Sequence, residues 1–327
     1  MSKLFILQSY EPGIKVNLKR NPNYWRHGYP HFDEVEQVAI TDVSARTNAL
    51  RTGEVDMIDE PDTKTVHLLA KTPGVQVIQT PSTQQYTMPM RTDMAPYDNN
   101  DIRLALKWSI PRAEILKKVQ GGHGVIGNDV PISPLQRYHN PNLEQYEHDP
   151  DRAAFHFKKA GSPDYQFQLY ASDTGFPNSV DAALLIQEAA KKGGINVNVN
   201  RSPNDGYWSD VWMQKEWCAC YWAGRPTEDW MYSTTYAAEA SWNDTFWKHP
   251  RFNELLIQAR GELNDDVRRA QYHEMAQIIH DDGGVVVLMF TDLVMAATDK
   301  LKRPDRPLRG VFFMDGYQVA EQWWYDS

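Results

Sequence analysis

Apolar and polar residues alternate in several short stretches of the first 92 residues. Ile14, Val16 and Leu18 are separated by single polar residues, which is the period of a strand with one buried face. Similar stretches predict further strands at 35–40, 75–78 and 85–91. The pattern therefore predicts a strand-rich N-terminal region with short helices between the strands.

Helix signals along the chain are bounded by residues that start and stop helices. The helix predicted over 42–52 has Asp42 or Ser44 near its N-cap and Gly53 just past its end, where a left-handed residue is common. Comparable signals predict further helices over 102–110, 111–120, 150–160, 178–192 and 264–280, and one that starts near Pro250.

Strands also occur between residues 93 and 284, and their order indicates the class of sheet. A strand predicted at 167–170, a helix over 178–192 and a strict alternation at 195–200 form a strand–helix–strand unit. This order predicts a parallel strand pair and an α/β fold. The continuous apolar run at 285–290 is typical of a fully buried strand. The tail contains another strand-like piece at Val311-Phe312-Phe313.

Length and charge limit the classes of function. The chain has 327 residues, enough for two lobes with their own cores. Its net charge of -9 argues against nucleic acid, which requires clustered Lys and Arg, and against anionic membrane surfaces as direct partners. The 11 Trp and 16 Tyr residues have two interpretations: a large aromatic core, or a ligand cleft lined by wide rings with polar edges.

Cysteine spacing and hydropathy do not decide in which cellular compartment the protein is located. The two cysteines are Cys218 and Cys220. On a strand their Cα atoms would lie about 6.5–7 Å apart, at the limit of disulfide geometry, so we expect free or buried thiols. No stretch approaches the roughly 20 apolar residues of a membrane span, and the first eight residues contain too short an apolar run for a signal peptide.

Sequence motifs of catalysis are missing from the chain. It contains no Gly-x-Ser-x-Gly, Walker-type loop, dinucleotide glycine pattern or His-Glu-x-x-His. The Gly-rich stretch at 121–124 lacks the strand, Lys and Ser/Thr of a phosphate loop and more simply ends a helix. His139, His148 and His156 have spacings unlike those of metal ligands. We therefore expect no metal, no cofactor and no enzymatic activity.

Four blocks of sequence occur in a fixed order along the chain. They are Lys-Arg-Asn-Pro-Asn-Tyr-Trp at 19–25, a block at 42–58 that contains Ser-Ala-Arg and Gly-Glu-Val-Asp, a block at 97–110 that contains Asp-Ile-Arg-Leu-Ala-Leu, and His-Asp-Pro-Asp-Arg-Ala-Ala at 148–154, which closes at Ala160-Gly161. In this order they resemble the family 5 extracellular solute-binding proteins of bacterial ABC importers, the peptide/nickel type. The resemblance runs over nearly the whole chain.

The resemblance implies an α/β fold of the periplasmic-binding-protein type, type II and cluster C-like, with two lobes. It implies a discontinuous first lobe over 1–92 and 285–327 and a second, α/β lobe over 93–284, with the strands at 86–91 and 285–290 crossing between them as a hinge. Family members carry roughly 150 further residues before the first block. We therefore expect this chain to lack the usual N-terminal portion and to have an incomplete first lobe.

The candidate ligand site is the stretch 218–230, where an apolar strand runs into Trp222 and a Pro-containing turn. Loops at strand ends are where α/β lobes bind ligands. The resemblance implies that this stretch matches a ligand-binding segment of the peptide-binding relatives. In those proteins the segment has a Trp, two small residues and then an acid that pairs with the amine of the bound peptide. Trp222 and Gly224 fit this pattern; a plain core role for Trp222 is the alternative.

Arg225 holds the position of that acid, so the sign of the anchoring charge is reversed. Its forked donors favour a carboxylate, a phosphate or a sugar hydroxyl. Glu228 or Asp229, which lie in the turn, would still be able to reach an amine of the ligand. The alternative for Arg225 is a salt bridge at the surface or between lobes.

Further aromatic residues surround this stretch in the sequence. Trp242 lies in a polar, aromatic loop at 240–247 without periodicity, whereas Trp208 and Trp212 share a helical face that is more typical of packing. Trp247 is expected to pack against the helix that follows it. The predicted ligand-binding residues are Tyr221, Trp222, Gly224, Arg225, Trp230, Trp242 and Asn243.

The resemblance implies the substrate-binding component of an ABC importer. Such a protein binds a peptide-like or other small polar solute in an inter-lobe cleft and delivers it to membrane permease subunits, in the periplasm and without making or breaking a bond. Peptides, opines, oligosaccharides and metal chelates all fit the family. One alternative is a ligand-sensing or chaperone-like protein of the same fold without a transport role. Another is a small-substrate hydrolase, which lacks a nucleophile and base in recognisable spacing.

Overall fold

A computed structural model describes residues 3–162, 164–308, 310 and 312–326. Within these residues the helices are α1 (Val43–Thr52), α2 (Val66–Leu69), α3 (Asn100–Ser109), α4 (Arg112–Val119), α5 (Pro150–Lys159), α6 (Ser179–Lys191), α7 (Tyr207–Asp210), α8 (Glu228–Thr235), α9 (Pro250–Gly261), α10 (Asp265–Asp282), α11 (Phe313–Tyr317) and α12 (Val319–Gln322). The strands are β1 (Phe5–Glu11), β2 (Lys15–Arg20), β3 (Glu34–Val38), β4 (Met57–Asp59), β5 (Val75–Thr80), β6 (Gln85–Pro89), β7 (Gly124–Ile126), β8 (Phe167–Ala171), β9 (Val197–Arg201), β10 (Cys220–Trp222), β11 (Val285–Thr291), β12 (Leu293–Thr298), β13 (Leu301–Lys302) and β14 (Trp324–Tyr325).

The chain divides into two compact units. Unit 1 comprises Met1–Pro81 and Asp292–Ser327, and unit 2 comprises Ser82–Thr291. These limits differ from the expected lobes, 1–92 with 285–327 and 93–284. Strands β6 and β11, which the resemblance named as crossing strands, lie inside unit 2 because they pair with each other and with β10 and β7, all of the same unit.

Unit 1 is built from small antiparallel sheets. Strands β1, β2 and β3 form one sheet in sequence order, and β12 lies between β4 and β5 in a second. The predicted helix over 42–52 is confirmed as α1. The Asp42 side chain accepts a hydrogen bond from the Ala45 amide at the N-cap, and Gly53 adopts the left-handed conformation at the C-cap with φ 77°.

Unit 2 contains a four-stranded antiparallel sheet in the order β10-β6-β11-β7. Every residue of β11 is buried because both faces of the strand are covered. Val286 and Leu288 belong to one hydrophobic cluster, whereas Val285 and Val287 belong to another. A strand covered on both faces has no polar face, which explains the continuous apolar run at 285–290.

The predicted strand–helix–strand unit is confirmed. Strands β8 and β9 pair in parallel, from Phe167 with Val197 to Ala171 with Arg201, and α6 connects them. A parallel bridge between Tyr170 and Cys218 lies at the edge of β8, close in sequence to β10. The chain is therefore α/β, as the pattern and the resemblance predicted.

Two features of the C-terminal part differ from the elements that the sequence predicts. Strand β12 at Leu293–Thr298 was not predicted, although it is the central strand of a unit 1 sheet. The predicted strand-like piece at 311–313 is not a strand in the described residues. Val311 lies outside them, and Phe313 starts a short segment in which Met314, Asp315 and Gly316 adopt left-handed conformations.

The cysteines and the helices give two further outcomes. Cys218 and Cys220 are free and buried, as the spacing predicted, and burial raises the pKa of both thiols. Among the described residues, none of the helices combines the length and the apolar character that a bilayer crossing requires.

Candidate functional site

The candidate site is built on β10, an edge strand of the unit 2 sheet that pairs with β6. Successive side chains of a strand point to opposite faces. Cys220 and Trp222 accordingly face the hydrophobic cluster and are buried, whereas Tyr221 faces outward and is 42% exposed. Of the two aromatic residues of β10, Trp222 is thus buried and Tyr221 faces the solvent.

The turn after β10 approaches the segment before β6 closely. A Cβ atom at Gly224 would lie 2.2 Å from Oγ1 and 3.3 Å from the carbonyl carbon of Thr83. A Cβ atom does not fit there unless the Thr83 hydroxyl moves, so glycine is favoured at this position mainly by the Thr83 side chain. Gly224 itself is buried, and its role is to fix the turn that carries Arg225.

One buried carboxylate holds two indoles. Oδ2 of Asp244 accepts a hydrogen bond of 3.1 Å from Nε1 of Trp222 and one of 3.2 Å from Nε1 of Trp212. A buried indole N–H needs an acceptor, and Asp244 supplies it for Trp222. The interaction ties the loop at 240–247 to the end of β10.

Burial dominates the electrostatics of this carboxylate. Burial raises the pKa of Asp244 to about 6, while the hydrogen bonds from Trp212, Trp222 and the Cys220 thiol act in the opposite direction. A buried carboxylate is disfavoured in its charged form unless donors compensate. The indoles compensate only in part, so the protonation of Asp244 changes in the mildly acidic range.

Five aromatic rings form a continuous row on unit 2, here called the aromatic row. Its neighbouring ring centroids are 5.7 to 6.1 Å apart. In contact order the members are Tyr221, Trp208, Trp212, Trp222 and Trp242. Tyr221, Trp208 and Trp242 are exposed, whereas Trp222 is buried. The row therefore presents rings to solvent at both ends and is fixed at its centre.

Arg225 extends this surface toward α8. Its guanidinium carbon lies 6.0 Å from the ring centroid of Trp222 and 5.8 Å from that of Trp230, and half of the Trp230 side chain is exposed. Nη1 donates hydrogen bonds to the carbonyl oxygens of Ala223, at 2.8 Å, and Gly224, at 3.3 Å. Local backbone contacts thus hold the side chain beside the two tryptophans.

The two acids of the turn are engaged inside unit 2. Glu228 is buried, and its Oε1 accepts a hydrogen bond of 2.8 Å from the Tyr138 amide. Asp229 pairs with Arg260, with Nε and Oδ1 2.7 Å apart. Both carboxylates thus have partners within unit 2, and a contact of either one with a ligand amine stays a prediction.

Two more predicted residues have their side chains inside the fold. Asn243 is buried, and its Nδ2 donates to the Trp247 carbonyl at 2.7 Å while its Oδ1 accepts from Thr245. Trp247 packs against Phe252 of α9, with ring centroids 5.3 Å apart, as predicted. The hydrogen bonds of the Asn243 side chain thus lie within its own loop, and its predicted ligand contact stays a prediction.

Of the seven predicted residues, Tyr221, Trp230 and Trp242 are exposed and Arg225 is half-buried. The aromatic row links Tyr221 to Trp242, and Arg225 lies beside Trp222 and Trp230. Trp222 and Gly224 support this surface from inside. Asp244 is not among the predicted residues, and Trp208, which the helical spacing assigns to packing, is exposed. The spacing of Asp244 from Trp222 carries no periodic signal, so the pairing becomes visible only in three dimensions.

This surface carries rings, one guanidinium and ring-edge donors, which suits noncovalent binding of a small solute. No nucleophile–base pair is part of it. Among the described residues, no group of three or more His, Cys, Asp or Glu side chains is arranged to hold a metal ion.

Comparison with known proteins identifies relatives of the chain. The model of the bacterial extracellular solute-binding proteins, family 5, middle region, matches residues 4–244. The chain is 25% identical over 291 residues to the di/tripeptide-binding protein 2 of Pseudomonas aeruginosa, covering 85% of this chain and 53% of that protein. It is 24% identical over 299 residues to the glutathione-binding protein GsiB of Escherichia coli K12, covering 88% and 58%.

The fold is that of the periplasmic binding proteins. The structure of the ABC transporter-associated periplasmic binding protein DppA from Helicobacter pylori, in complex with the peptide STSA, superposes with a TM-score of 0.87 at 23% identity. It covers 99% of this chain and 63% of that one. The chain thus spans little more than half the length of the curated relatives that it matches.

Proposed function

The chain belongs to the family 5 bacterial extracellular solute-binding proteins, and from this membership we propose that it binds a small polar solute, peptide-like in its chemistry, for an ABC importer. The family and the fold neighbours are binding proteins rather than enzymes. Binding without chemistry agrees with a surface of rings and a guanidinium. The proposal includes delivery of the solute to permease subunits and a periplasmic location.

The observation that carries this proposal is the aromatic row on unit 2. Exposed tryptophans and tyrosines that lie side by side are uncommon on a surface without a partner. They offer wide apolar area at low entropy cost, with N–H and O–H groups at the edges. The proposed contacts are Tyr221 and Trp242 of the row, together with Trp230, which lies outside the row beside Arg225. Trp222 fixes the row from inside the fold.

Named ligands of the relatives provide probes. We expect the 327-residue chain to bind at least one of the peptide Ser-Thr-Ser-Ala, a set of di- and tripeptides, or glutathione in calorimetric titrations, with a parallel change in tryptophan fluorescence. Trp230→Ala and Trp242→Ala are expected to weaken binding roughly 10-fold or more, since an aromatic anchor at an interface contributes about 2 kcal/mol.

A matched control exists on the same unit. Phe155 on α5 is an exposed aromatic residue outside the aromatic row, so Phe155→Ala should leave the affinity unchanged. Equal effects of Phe155→Ala and Trp230→Ala, or no binding of any probe, would count against the proposal. Uptake of the bound probe by cells with and without the gene tests the transport role separately.

A further inference from the structure

The guanidinium of Arg225 carries a charge without an acidic partner. Among the described residues it forms no ion pair, and burial alone lowers the pKa of its guanidinium, with no contribution from a neighbouring carboxylate. The acids closest in sequence are engaged elsewhere, Glu228 by the Tyr138 amide and Asp229 by Arg260. A partly buried cation without a counter-charge attracts an anion strongly, because the local dielectric is low.

In the described part of the chain, one edge of the guanidinium has no hydrogen-bond acceptor. Nη1 is occupied by the carbonyl oxygens of Ala223 and Gly224, whereas Nε is covered and has no hydrogen-bond partner. Nε and Nη2 together form the planar fork to which a carboxylate binds through both oxygens. Nε is covered, so Nη2 is the donor of this edge that a ligand meets first.

The rings around Arg225 add a second requirement. Trp222 and Trp230 flank the guanidinium at 6.0 and 5.8 Å, and Trp230 is half exposed. An aromatic ring beside a cation excludes water on one side and leaves the edge of the guanidinium open. A ligand that reaches this fork with a carboxylate also places its neighbouring atoms against the Trp230 ring.

We propose that Arg225 selects solutes that carry a carboxylate, which accepts a hydrogen bond from Nη2 of its guanidinium while the atoms next to that carboxylate pack on Trp230. This inference rests on the proposed function and specifies its ligand class. A free amine is not anchored at this position, because the local charge is positive and both acids of the turn are occupied. The class includes peptides with a free C-terminus and excludes their amides.

Matched probes test the assignment. Calorimetric titrations compare the peptide Ser-Thr-Ser-Ala with its C-terminal amide and with its N-acetylated form, and free di- and tripeptides with their amides. We expect the free acid and the N-acetylated acid to bind roughly 10- to 100-fold more tightly than the amide, the range of a charge-assisted hydrogen bond. Acid and amide binding equally well would overturn the assignment.

Variants separate charge from shape. Arg225→Gln keeps a hydrogen-bond donor near the Ala223 and Gly224 carbonyls but removes the charge, and it should abolish the preference for the acid over the amide. Arg225→Lys should retain part of that preference, whereas Arg225→Glu should reverse it. Arg201→Ala removes a charge from an exposed arginine of the same unit and should change nothing.

The outcomes distinguish this inference from the proposed function. If acid and amide bind alike and Arg225→Gln has no effect while Trp230→Ala weakens both, the solute-binding proposal stands and the carboxylate assignment is wrong. If no probe binds the wild-type chain, the solute-binding proposal itself fails. Melting temperatures of the variants within a few degrees of the wild type exclude unfolding as the cause of lost binding.

Discussion

Nε1 of Trp222 donates a 3.1 Å hydrogen bond to Oδ2 of Asp244. The two residues are distant enough in sequence that no helix or strand period relates them, yet their contact joins the end of β10 to the loop at 240–247. The same oxygen accepts the indole N–H of Trp212. A single buried carboxylate thus fixes the centre of the aromatic row.

Removing this carboxylate should loosen the surface. Asp244→Ala leaves the buried indole of Trp222 without an acceptor, which costs about 1–3 kcal/mol, and deprives Trp212 as well. We expect the free energy of unfolding, measured in urea near pH 4, where Asp244 is protonated in the folded state, to fall by about that amount, with a shift in tryptophan fluorescence. Asp244→Asn is the control, because its side-chain oxygen can occupy the position of Oδ2. Equal stability of Asp244→Ala and wild type would contradict the role of Asp244.

The raised pKa of Asp244 also predicts a pH dependence. The folded state holds the proton up to about pH 6, whereas an unfolded Asp releases it near pH 4. Between these values the folded state binds more protons than the unfolded state, so the contribution of Asp244 to stability falls as pH rises from about 4 to 6, by at most roughly 3 kcal/mol. Unfolding free energies of wild type and Asp244→Asn should therefore diverge across this window, with Asp244→Asn more stable at the upper end. Parallel profiles would contradict the assignment.

A buried lysine should make the stability of the fold depend on pH in the alkaline range. Lys107 is fully buried, and burial lowers its pKa to about 8, with Asp129 opposing and Arg103 and Arg112 assisting the shift. Above pH 8 the folded state releases the proton while an unfolded lysine keeps it to about 10.4. Stability should therefore rise with pH between about 8 and 10, by up to roughly 3 kcal/mol.

The variant Lys107→Met tests this prediction. Nζ of Lys107 donates to the His280 carbonyl at 2.8 Å, but the Tyr146 hydroxyl donates to the same oxygen at 3.2 Å. That acceptor therefore keeps a partner when the ammonium is removed, and methionine fills a similar volume. We expect Lys107→Met to be at least as stable as wild type at pH 7 and to lack the alkaline rise. A variant that loses several kcal/mol at pH 7 would show that the charge is needed.

Glycine at position 224 should be coupled to Thr83. Gly224→Ala places a Cβ 2.2 Å from Oγ1 of Thr83, and overpacking of this kind costs typically 1–3 kcal/mol. Oγ1 is buried without a hydrogen-bond partner, so Thr83→Ala by itself should cost little. In the Thr83→Ala background the cost of Gly224→Ala should shrink, which a double-mutant cycle measures as a coupling energy of about 1 kcal/mol. Additive effects would mean that the close approach does not limit this turn.

Local sequence patterns determined most of the elements. The caps at Asp42 and Gly53 set the limits of α1, and the alternation around Val197 with the helix before it determined a parallel pair. These predictions succeed because capping and side-chain period act over a few residues. The apolar run at 285–290 likewise indicated a buried strand, since it is short, rich in Val and preceded by Gly284.

The tertiary structure alone decided how the site is assembled. The sequence named Trp222, Arg225 and Trp242 as candidates and left open whether Trp222 is buried. It did not indicate that the side chain of Asn243 bonds within its own loop, or that Asp244 accepts from two indoles. Burial and hydrogen-bond partners depend on which segments meet across the fold, and a buried donor takes whatever acceptor the fold brings to it. The types and order of the residues were therefore enough to identify the candidate segment. Long-range packing decided which of its side chains face the solvent.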